Sequence, residues 1–297
     1  MAHSVAFGAY GANAMTAVVM DGTALSARLR ENLAAELVRL GRPPVCLATV
    51  LVGDDGPSRY YIASKNKAAG QIGFRSRHTD LPLTATQAEV EDTVAALAAD
   101  PTVHGILVQM PLPKGLDPEP VLALIPANKD VDGLTPVSLG RLVRGLPGLV
   151  PCTPLGVMRL LEHYNVPTVG ARAVVLGRST LVGLPAVLLL AAKGIDATVT
   201  VAHSRTADLA AVVREADIVV AAVGQARIIT ADMVKPGAAV IDVGISRSEA
   251  GIVGDVDYGP VSEATGWVTP MPGGTGPLTI ACLFENTLAA ARLQGVV

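Results

Sequence analysis

The stretch that most constrains the fold runs from Ala171 to Pro185 and reads ARAVVLGRSTLVGLP. The apolar run 173–176 is typical of a buried parallel strand, and a helix-favouring run begins at Pro185. Gly177 and Gly183 let the backbone turn tightly and let a ligand approach main-chain N–H groups at the helix N-terminus, where the dipole favours phosphate. The stretch therefore predicts a strand–turn–helix junction that can bind a dinucleotide pyrophosphate.

A plain strand–turn–helix connection stays open as an alternative. Ser179 stands where the G-x-G-x-x-G pattern has its middle glycine, and the turn is one residue longer. The next predicted strand, 196–202, runs into the sequence HSRT without the Asp or Glu that usually accepts from the ribose 2′-hydroxyl of NAD. Arg178, Ser204 and Arg205 instead offer positive charge and donors, which favours the 2′-phosphate of NADP.

The composition indicates a compact folded protein. A chain of 297 residues suits two domains, and it is 50% hydrophobic and 16% charged. Its apolar runs are too short for a membrane span, and a net charge of -3 gives no basic patch for nucleic acid. Cys46, Cys152 and Cys282 have no C-x-x-C spacing, which favours buried reduced thiols in a cytoplasmic protein. We predict no metal site.

The first half predicts strands that alternate with helices, the pattern of a parallel α/β sheet. Residues 1–14 lack the features of a signal peptide and are expected to be a poorly ordered extension. The expected elements are a helix capped by Thr23, a strand at 45–52, a helix at 57–72, a strand at 74–81, a helix opened by a Thr86-x-x-Glu89 capping box and ending near 99, and a strand at 103–109.

A proline-rich region then predicts a domain boundary near Pro151. The second half predicts helices at 153–164 and 207–215, strands at 218–223 and 238–243, and a last helix at 278–294 that crosses back to the first domain. The fold class is therefore α/β with two α/β domains and a cleft between them. The catalytic domain is 1–150, completed by 278–297, and the Rossmann-type parallel-sheet nucleotide domain is 151–277.

Three places in the first half are candidates for chemistry. Tyr61 and Lys65 are four residues apart on one face of a predicted helix, although a solvated surface lysine is the ordinary alternative. Gln109 ends a buried strand at the edge where ligands bind to parallel sheets, and a loop-capping amide is equally compatible with its spacing. Asp130 and Asp132 suit a turn, so the spacing alone favours a structural role for both.

The ordered set of motifs GILVQMPLP, KDVDGLTP, PCTPLG, VVLGRSTLVGLP, ATVTVAHSRT, VIDVGISR, GDVDY and TPMPGGTGPLT, with Y-x-x-x-K at Tyr61 and Lys65, covers the chain from about Asp21 to its C-terminus. This set resembles the methylenetetrahydrofolate dehydrogenase/methenyltetrahydrofolate cyclohydrolase family. The resemblance implies a folate-binding catalytic domain closed against a Rossmann domain, and usually a homodimer. It also implies NADP-dependent oxidation of 5,10-methylenetetrahydrofolate to the methenyl cation, followed by hydrolysis to 10-formyltetrahydrofolate in the same cleft.

The resemblance also implies roles for individual residues. Lys65 matches the catalytic lysine, Tyr61 a ring-stacking tyrosine, Gln109 the lysine's partner and Asp132 the pterin-binding aspartate. Arg178, Ser179 and Ser204 match cofactor-binding positions, to which the glycine turn and the charge pattern add Gly177, Gly183 and Arg205. Ile245 is also expected to bind the cofactor. The expected substrate-binding residues are Tyr61, Asp132, Pro272, Gly273 and Gly274. The chain departs from the family pattern at Leu134, Thr135, Ser138 and Thr275.

The implied chemistry needs two ring systems aligned for hydride transfer and a proton carrier for hydrolysis. A lysine whose pKa is lowered by enclosure suits the second task, with Gln109 to orient it. His104 and His203 are rival bases, both more easily explained as structural. The alternatives are an NAD-dependent relative with dehydrogenase activity alone and a non-catalytic folate- or nucleotide-binding protein. The presence of Lys65 together with Gln109 and Asp132 favours an enzyme.

Overall fold

The computed structural model of the protein describes residues 17–53, 65, 67–248 and 251–297. The predicted extension 1–14, Tyr61 and most of the predicted helix 57–72 lie outside the described residues. Lys65 and residues 67–72 are helical. None of the helices in the described ranges combines the length and the hydropathy that a bilayer-spanning segment needs.

The first half is a three-stranded parallel sheet with helices around it. Its strands lie in the order β3, β2, β4, and every residue of the central strand β2 is buried, as expected of a parallel strand covered on both faces. The strands are β2 (Cys46–Val52), β3 (Arg75–Leu81) and β4 (Gly105–Val108). The helices are α1 (Gly22–Arg39), α2 (Gln87–Ala99), α3 (Pro118–Ala123) and α4 (Pro136–Val143).

The second half is a six-stranded parallel sheet in the order β1, β11, β8, β7, β5, β6. Its strands are β1 (Val18–Val19), β5 (Arg172–Leu176), β6 (Thr198–Ala202), β7 (Ile218–Ala221), β8 (Ala239–Asp242) and β11 (Trp267–Val268). An antiparallel hairpin of β9 (Ser246–Ser248) and β10 (Gly251–Val253) leaves the sheet after β8. The helices are α5 (Cys152–His163), α6 (Gly183–Leu190), α7 (Leu209–Arg214), α8 (Tyr258–Ala264) and α9 (Thr275–Leu293).

The start of α2 follows the local sequence closely. Thr86 and Glu89 form the predicted capping box, in which the Thr86 hydroxyl accepts from the Glu89 N–H and the Glu89 carboxylate accepts from the Thr86 N–H at 2.7 Å. The prediction that Thr23 caps α1 is wrong. The Asp21 carboxylate accepts from the Ala24 N–H at 3.0 Å, so the cap lies two residues earlier, and the Thr23 N–H donates to the Gly273 carbonyl instead.

The two ends of the described chain cross between the halves. The last helix, α9, begins at Thr275, three residues before the predicted start. Its Leu278 is packed in the core of the second half, whereas Phe284 and Leu288 are packed in the core of the first half with β2 and β4 residues. At the other end, β1 pairs with β11 of the second sheet, although residues 1–150 were assigned to the first domain. Backbone pairing thus places residues 18–19 with the nucleotide half.

Asn286 fastens α9 to the chain that joins the two halves. This buried amide donates through Nδ2 to the carbonyls of Val131 and Val150, both at 2.8 Å. A buried carbonyl left without a donor is costly, so one side chain stabilises the loop before Asp132 and the segment that enters α5.

We expect Asn286→Ala to lower the free energy of unfolding by about 1 to 3 kcal/mol, because the Val150 carbonyl would lose this donor and the Val131 carbonyl would keep only the weak donor Cys152 Sγ. Leu293→Ala on the same helix is the control, since Leu293 is 54% exposed and its truncation should change stability by less than about 0.5 kcal/mol. Urea unfolding of both variants checks this, and equal stabilities would contradict it.

Candidate active site

A cleft of about 1420 Å³ opens between the two halves, where the carboxyl ends of strands from both sheets meet. The residues that follow β4, β7, β8 and β11 all contribute to its walls. Carboxyl ends of parallel strands are the usual place for ligands in α/β proteins. The described lining residues that come from the first half or from α9 include Thr23, Ser26, Arg30, Lys65, Ala68, Gln109, Asp132, Thr279 and Ile280, and those from the nucleotide half include Leu181, Val182, Ala222, Gly224, Gly244, Ile245, Arg247, Pro272 and Gly273.

Lys65 and Gln109 meet in this cleft. Lys65 is 4% exposed, and its Nζ donates to Gln109 Oε1 at 3.3 Å. The Gln109 amide is held in turn, because its Nε2 donates to the Met110 carbonyl at 2.9 Å. The solvated-lysine alternative is therefore wrong for this position, and the glutamine orients the amine as well as contacting its own loop.

Asp132 lies beside Lys65 and is half-buried on the wall of the cleft. Burial lowers the pKa of Lys65 from its usual 10.5, with the Asp132 charge acting in the opposite direction. Burial also raises the pKa of Asp132, an effect that the charge of Lys65 reduces. Enclosure thus brings the pKa values of an amine and a carboxyl group towards each other, which prepares this pair to hold and move a proton.

Cys152 completes this corner, although its sequence context indicated only a buried reduced thiol. Its Sγ donates to the Val131 carbonyl at 3.2 Å, and the thiol also interacts with Asp132. Burial and the neighbouring Asp132 charge raise the pKa of Cys152 well above its ordinary value, so it remains a neutral thiol beside the carboxylate. The sequence indicates a place for Cys152 near the site only through its position at the first residue of α5, beside the proline-rich joint.

The β5–α6 turn is as tight as its two glycines predict. Gly177 has φ +114°, and a Cβ there would lie 2.3 Å from the Ala222 carbonyl oxygen. A Cβ on Gly183 would lie 2.3 Å from the Gly177 carbonyl oxygen. Ser179 Oγ accepts from the N–H groups of Val182 and Gly183 at 3.2 and 3.4 Å, which leaves its hydroxyl hydrogen available to a ligand.

Arg178, Ser204 and Arg205 are exposed next to this turn, outside the lining of the cleft. Within the described part of the chain, neither guanidinium group takes part in a salt bridge. His203 has its Nδ1 engaged as an acceptor from the Arg205 N–H at 3.2 Å, which supports a structural role. Of the predicted cofactor residues, Ile245 lines the cleft and the others do not, although Leu181 and Val182 of the β5–α6 turn belong to the lining.

The other predicted residues also fall into a group that lines the cleft and a group that does not. Pro272 and Gly273 line the cleft, whereas Gly274 is buried behind the lining, where its Cβ would lie 2.7 Å from the Pro270 carbonyl oxygen. Thr275 also lines the cleft and donates to the Asp242 carbonyl at 3.0 Å. His104 directly precedes β4 and is outside the lining of the cleft, and its Nδ1 accepts from the Cys46 N–H at 2.9 Å.

The departures Thr135 and Ser138 are buried away from the lining, where they bond to each other at the start of α4. Leu134 also lies outside the lining, and its N–H donates to Asp130. The Asp130 carboxylate accepts from the Leu134 and Thr135 N–H groups, as a structural turn residue does.

The sequence interpretation missed the polar face of α1 that lines the cleft. Thr23, Ser26 and Arg30 are three and four residues apart, which places them on one side of the helix. Leucines recur every four residues on another face of this helix, and the polar residues between them were the available signal. In the described ranges, no group of three or more His, Cys, Asp or Glu side chains is placed to hold a metal ion.

Comparison with protein families and curated proteins gives matches along nearly the whole chain. The model of the tetrahydrofolate dehydrogenase/cyclohydrolase catalytic domain matches residues 20–132, and that of the corresponding NAD(P)-binding domain matches residues 151–295. Bifunctional protein FolD of Acidiphilium cryptum is 54% identical over 282 residues, which cover 94% of this chain and 100% of the relative. Bifunctional protein FolD of Oleidesulfovibrio alaskensis is 52% identical over 279 residues, 92% of this chain and 97% of the relative.

Solved structures agree with these matches. The bifunctional FolD enzyme of Campylobacter jejuni superposes with a TM-score of 0.89 at 43% identity, covering 93% of this chain and 99% of that one. The FolD of Trypanosoma brucei, solved with NADP cofactor and an inhibitor, gives a TM-score of 0.89 at 40% identity, covering 93% and 98%.

The β5–α6 turn supplies a test of the close approach. Gly177→Ala should destabilise the protein more than Gly194→Ala does, because both glycines have positive φ but only Gly177 faces a backbone oxygen. We expect Gly194→Ala to cost about 1 to 2 kcal/mol through its φ alone. Gly177→Ala should cost at least about 1 kcal/mol more, measured by denaturant unfolding. Equal losses would show that the contact with Ala222 relaxes freely.

Proposed function

Because the chain belongs to the tetrahydrofolate dehydrogenase/cyclohydrolase family, we propose that its residues divide two reactions between the two walls of one cleft. The protein is a bifunctional enzyme. It oxidises 5,10-methylenetetrahydrofolate to 5,10-methenyltetrahydrofolate with NADP, and it hydrolyses the methenyl compound to 10-formyltetrahydrofolate. The roles assigned to individual residues below are the proposal.

The cluster of Lys65, Gln109 and Asp132 carries the proposal for hydrolysis. A buried amine hydrogen-bonded to an amide and set beside a carboxyl group is an arrangement for proton transfer, and it lies in the wall of the cleft. Asp132 is proposed to hold the amino group of the pterin, and Tyr61 to stack on the folate ring. Pro272 and Gly273 bring backbone close to the same space.

The dehydrogenase reaction depends chiefly on alignment. NADP, when bound, supplies the acceptor for the hydride. The tight turn at Gly177 and Gly183 leads into the N-terminus of α6, where main-chain N–H groups and the helix dipole favour a pyrophosphate. Arg178, Ser204 and Arg205 would hold the 2′-phosphate, with Ser179 donating to the pyrophosphate and Ile245 lining the cleft. These residues bind and orient the cofactor. The positive charge that develops as the hydride leaves is shared by the two folate nitrogens.

Hydrolysis requires proton transfer from the attacking water and to N5 of the folate. Water adds its oxygen to the methenyl carbon, and the neutral Lys65 amine accepts one proton of that water. The protonated Lys65 then gives its proton to N5 as the bond between this carbon and N5 breaks. The hydroxyl proton of the adduct passes to water, and the formyl group stays on N10. Gln109 accepts from Lys65 Nζ and so fixes the direction of the amine towards the cleft.

We further propose a cytoplasmic homodimer, with membranes and nucleic acids excluded as partners. The three cysteines are free and buried, which suits a reducing compartment. We also propose that the catalytic domain comprises residues 1–150 and 278–297 and that the nucleotide domain comprises residues 151–277. Residues 18–19 are the exception, because they pair with a strand of the nucleotide domain.

Lys65→Met should abolish cyclohydrolase activity far more completely than dehydrogenase activity. Methionine keeps much of the lysine's bulk and has no titratable amine, so it removes the proton carrier and leaves the packing. We expect hydrolysis of methenyltetrahydrofolate to fall by roughly 10²- to 10⁴-fold. The variant should accumulate the methenyl compound, measured by its absorbance, when it receives methylenetetrahydrofolate and NADP.

Lys67→Met is the matched control, because Lys67 is exposed on the same helix and should retain both activities. In the wild type, hydrolysis should increase with pH with an apparent pKa below 10.5, because burial disfavours the ammonium form of Lys65. Hydrolysis at the wild-type rate by Lys65→Met would remove Lys65 from this role.

Arg205→Gln should weaken NADP binding and leave NAD binding unchanged. A charge-assisted bond to the 2′-phosphate contributes about 1.5 to 3 kcal/mol, which corresponds to roughly a tenfold to hundredfold loss of NADP affinity. Fluorescence titration of both cofactors measures this, with Arg39→Gln as the control at the far end of α1. If the wild type binds NAD as tightly as NADP, the proposed phosphate site is wrong.

A further inference from the structure

Asp242 and Asp255 are two buried carboxylates behind the nucleotide-side wall of the cleft. Asp242 is the last residue of β8 and is 2% exposed, and Asp255 follows β10 and is 0% exposed. Their carboxylate hydrogen bonds within the described part of the chain all come from backbone N–H groups. The reactions assigned above give neither residue a role.

The Asp255 carboxylate holds the loop after β7. Its Oδ2 accepts from the N–H groups of Val223 and Gly224 at 2.7 and 3.0 Å. Gly224 lines the cleft, as does Ala222 before it. One side chain therefore fixes the backbone of 222–224 from behind.

The Asp242 carboxylate holds the loop after β8 and also the chain that carries Asp255. Its Oδ1 accepts from the Gly244 N–H at 2.9 Å and from the Asp255 N–H at 3.0 Å, and its Oδ2 accepts from the Val256 N–H at 3.0 Å. Val243, Gly244 and Ile245 all line the cleft. The two carboxylates together tie the loops after β7 and β8 to the exit of the β9–β10 hairpin.

Two glycines make room for this arrangement. A Cβ on Gly244 would lie 2.1 Å from the Asp255 carboxyl carbon, and a Cβ on Gly254 would lie 1.8 Å from Asp242 Oδ2. Each carboxylate thus packs directly against the backbone of the segment that carries the other. Neither glycine position therefore has room for a side chain, and this close packing fixes the spacing of the two loops.

Burial of these two carboxylates has a free-energy cost. Burial raises the pKa of Asp242 to about 6, and the nearby Asp255 charge adds to this effect. Asp255 Oδ1 is buried and has no hydrogen-bond partner among the described residues. Buried like charges and an unsatisfied oxygen both oppose folding. What the pair provides in return is a fixed position for the backbone of two loops in the cleft wall.

The order of the strands shows what these loops would contact. The cations proposed for the 2′-phosphate follow β5 and β6, and the glycine turn proposed for the pyrophosphate follows β5. The other end of a dinucleotide then extends along the sheet edge towards β7 and β8. The loops 222–224 and 243–245 stand there, facing the wall that carries Lys65.

We propose that Asp242 and Asp255 are positioning residues that fix the loops 222–224 and 243–245 against the nicotinamide end of NADP. This inference rests on the proposed function. It assigns the pair to hydride transfer, which needs the nicotinamide ring aligned, and excludes it from hydrolysis, which uses the opposite wall.

Asp255→Ala tests the inference, because it leaves the Val223 and Gly224 N–H groups without their acceptor. Both activities are measured on the same sample: NADPH formation from methylenetetrahydrofolate, and hydrolysis of supplied methenyltetrahydrofolate without NADP. The ratio of dehydrogenase to cyclohydrolase activity is independent of the fraction of folded protein. Misalignment should lower this ratio by roughly 10- to 100-fold and weaken equilibrium binding of NADP in a fluorescence titration.

Asp255→Asn is the rescue variant, since its amide oxygen can still accept from both N–H groups, and it should restore most of the ratio and of the NADP affinity. If Asp255→Ala yields no folded protein, Asp255→Ser replaces it, because the shorter hydroxyl cannot reach both donors. Asp217→Ala is the matched control: Asp217 also accepts from a backbone N–H, that of Arg172, but at the amino edge of the same sheet. It should change stability and leave the ratio unaltered.

An unchanged ratio in Asp255→Ala, with both activities and the thermal midpoint falling together, would overturn the inference and leave the pair a purely structural role. Failure of the wild type to catalyse either reaction would instead overturn the proposed function.

Discussion

The active cleft depends on one constraint of parallel sheets, which is that all strands of a sheet end at the same edge. Two such edges face each other here, so residues far apart in sequence, such as Gln109 after β4 and Gly244 after β8, line one space. The crossing helix α9 keeps the edges opposed, because it is packed in the cores of both halves and Asn286 binds the chain between them. Without this crossing, each sheet edge would remain a separate shallow surface.

Burial of charge is the second physical theme, and the two walls use it differently. On the catalytic wall, Lys65 and Asp132 have opposite charges, and their enclosure brings their proton affinities together. Behind the nucleotide wall, Asp242 and Asp255 have like charges, and backbone N–H groups bond to each of their carboxylate oxygens except Asp255 Oδ1. The first arrangement suits proton transfer, whereas the second suits a rigid backbone.

Local sequence predicted most elements because their signals are short in range. The capping box of Thr86 and Glu89 and the apolar runs of β2 and β5 each act within a few residues, and the structure has them where the patterns place them. The wrong predictions concern positions whose conformation depends on residues distant in the sequence. Thr23 has the chemistry of a helix cap, but Asp21 takes that position, while the Thr23 N–H and hydroxyl both donate to the Gly273 carbonyl, which is 250 residues away.

The sequence by itself determined the alternation of strands and helices, the glycine turn after β5, and the family to which its motifs belong, because these are encoded in residue type and local spacing. Only the tertiary structure decided that Lys65 is enclosed and bonded to Gln109, that β1 joins the second sheet, and that Asp242 and Asp255 pack behind the cleft wall. The physical reason is that burial and proton affinity depend on neighbours brought together by folding, and no spacing along the chain specifies them.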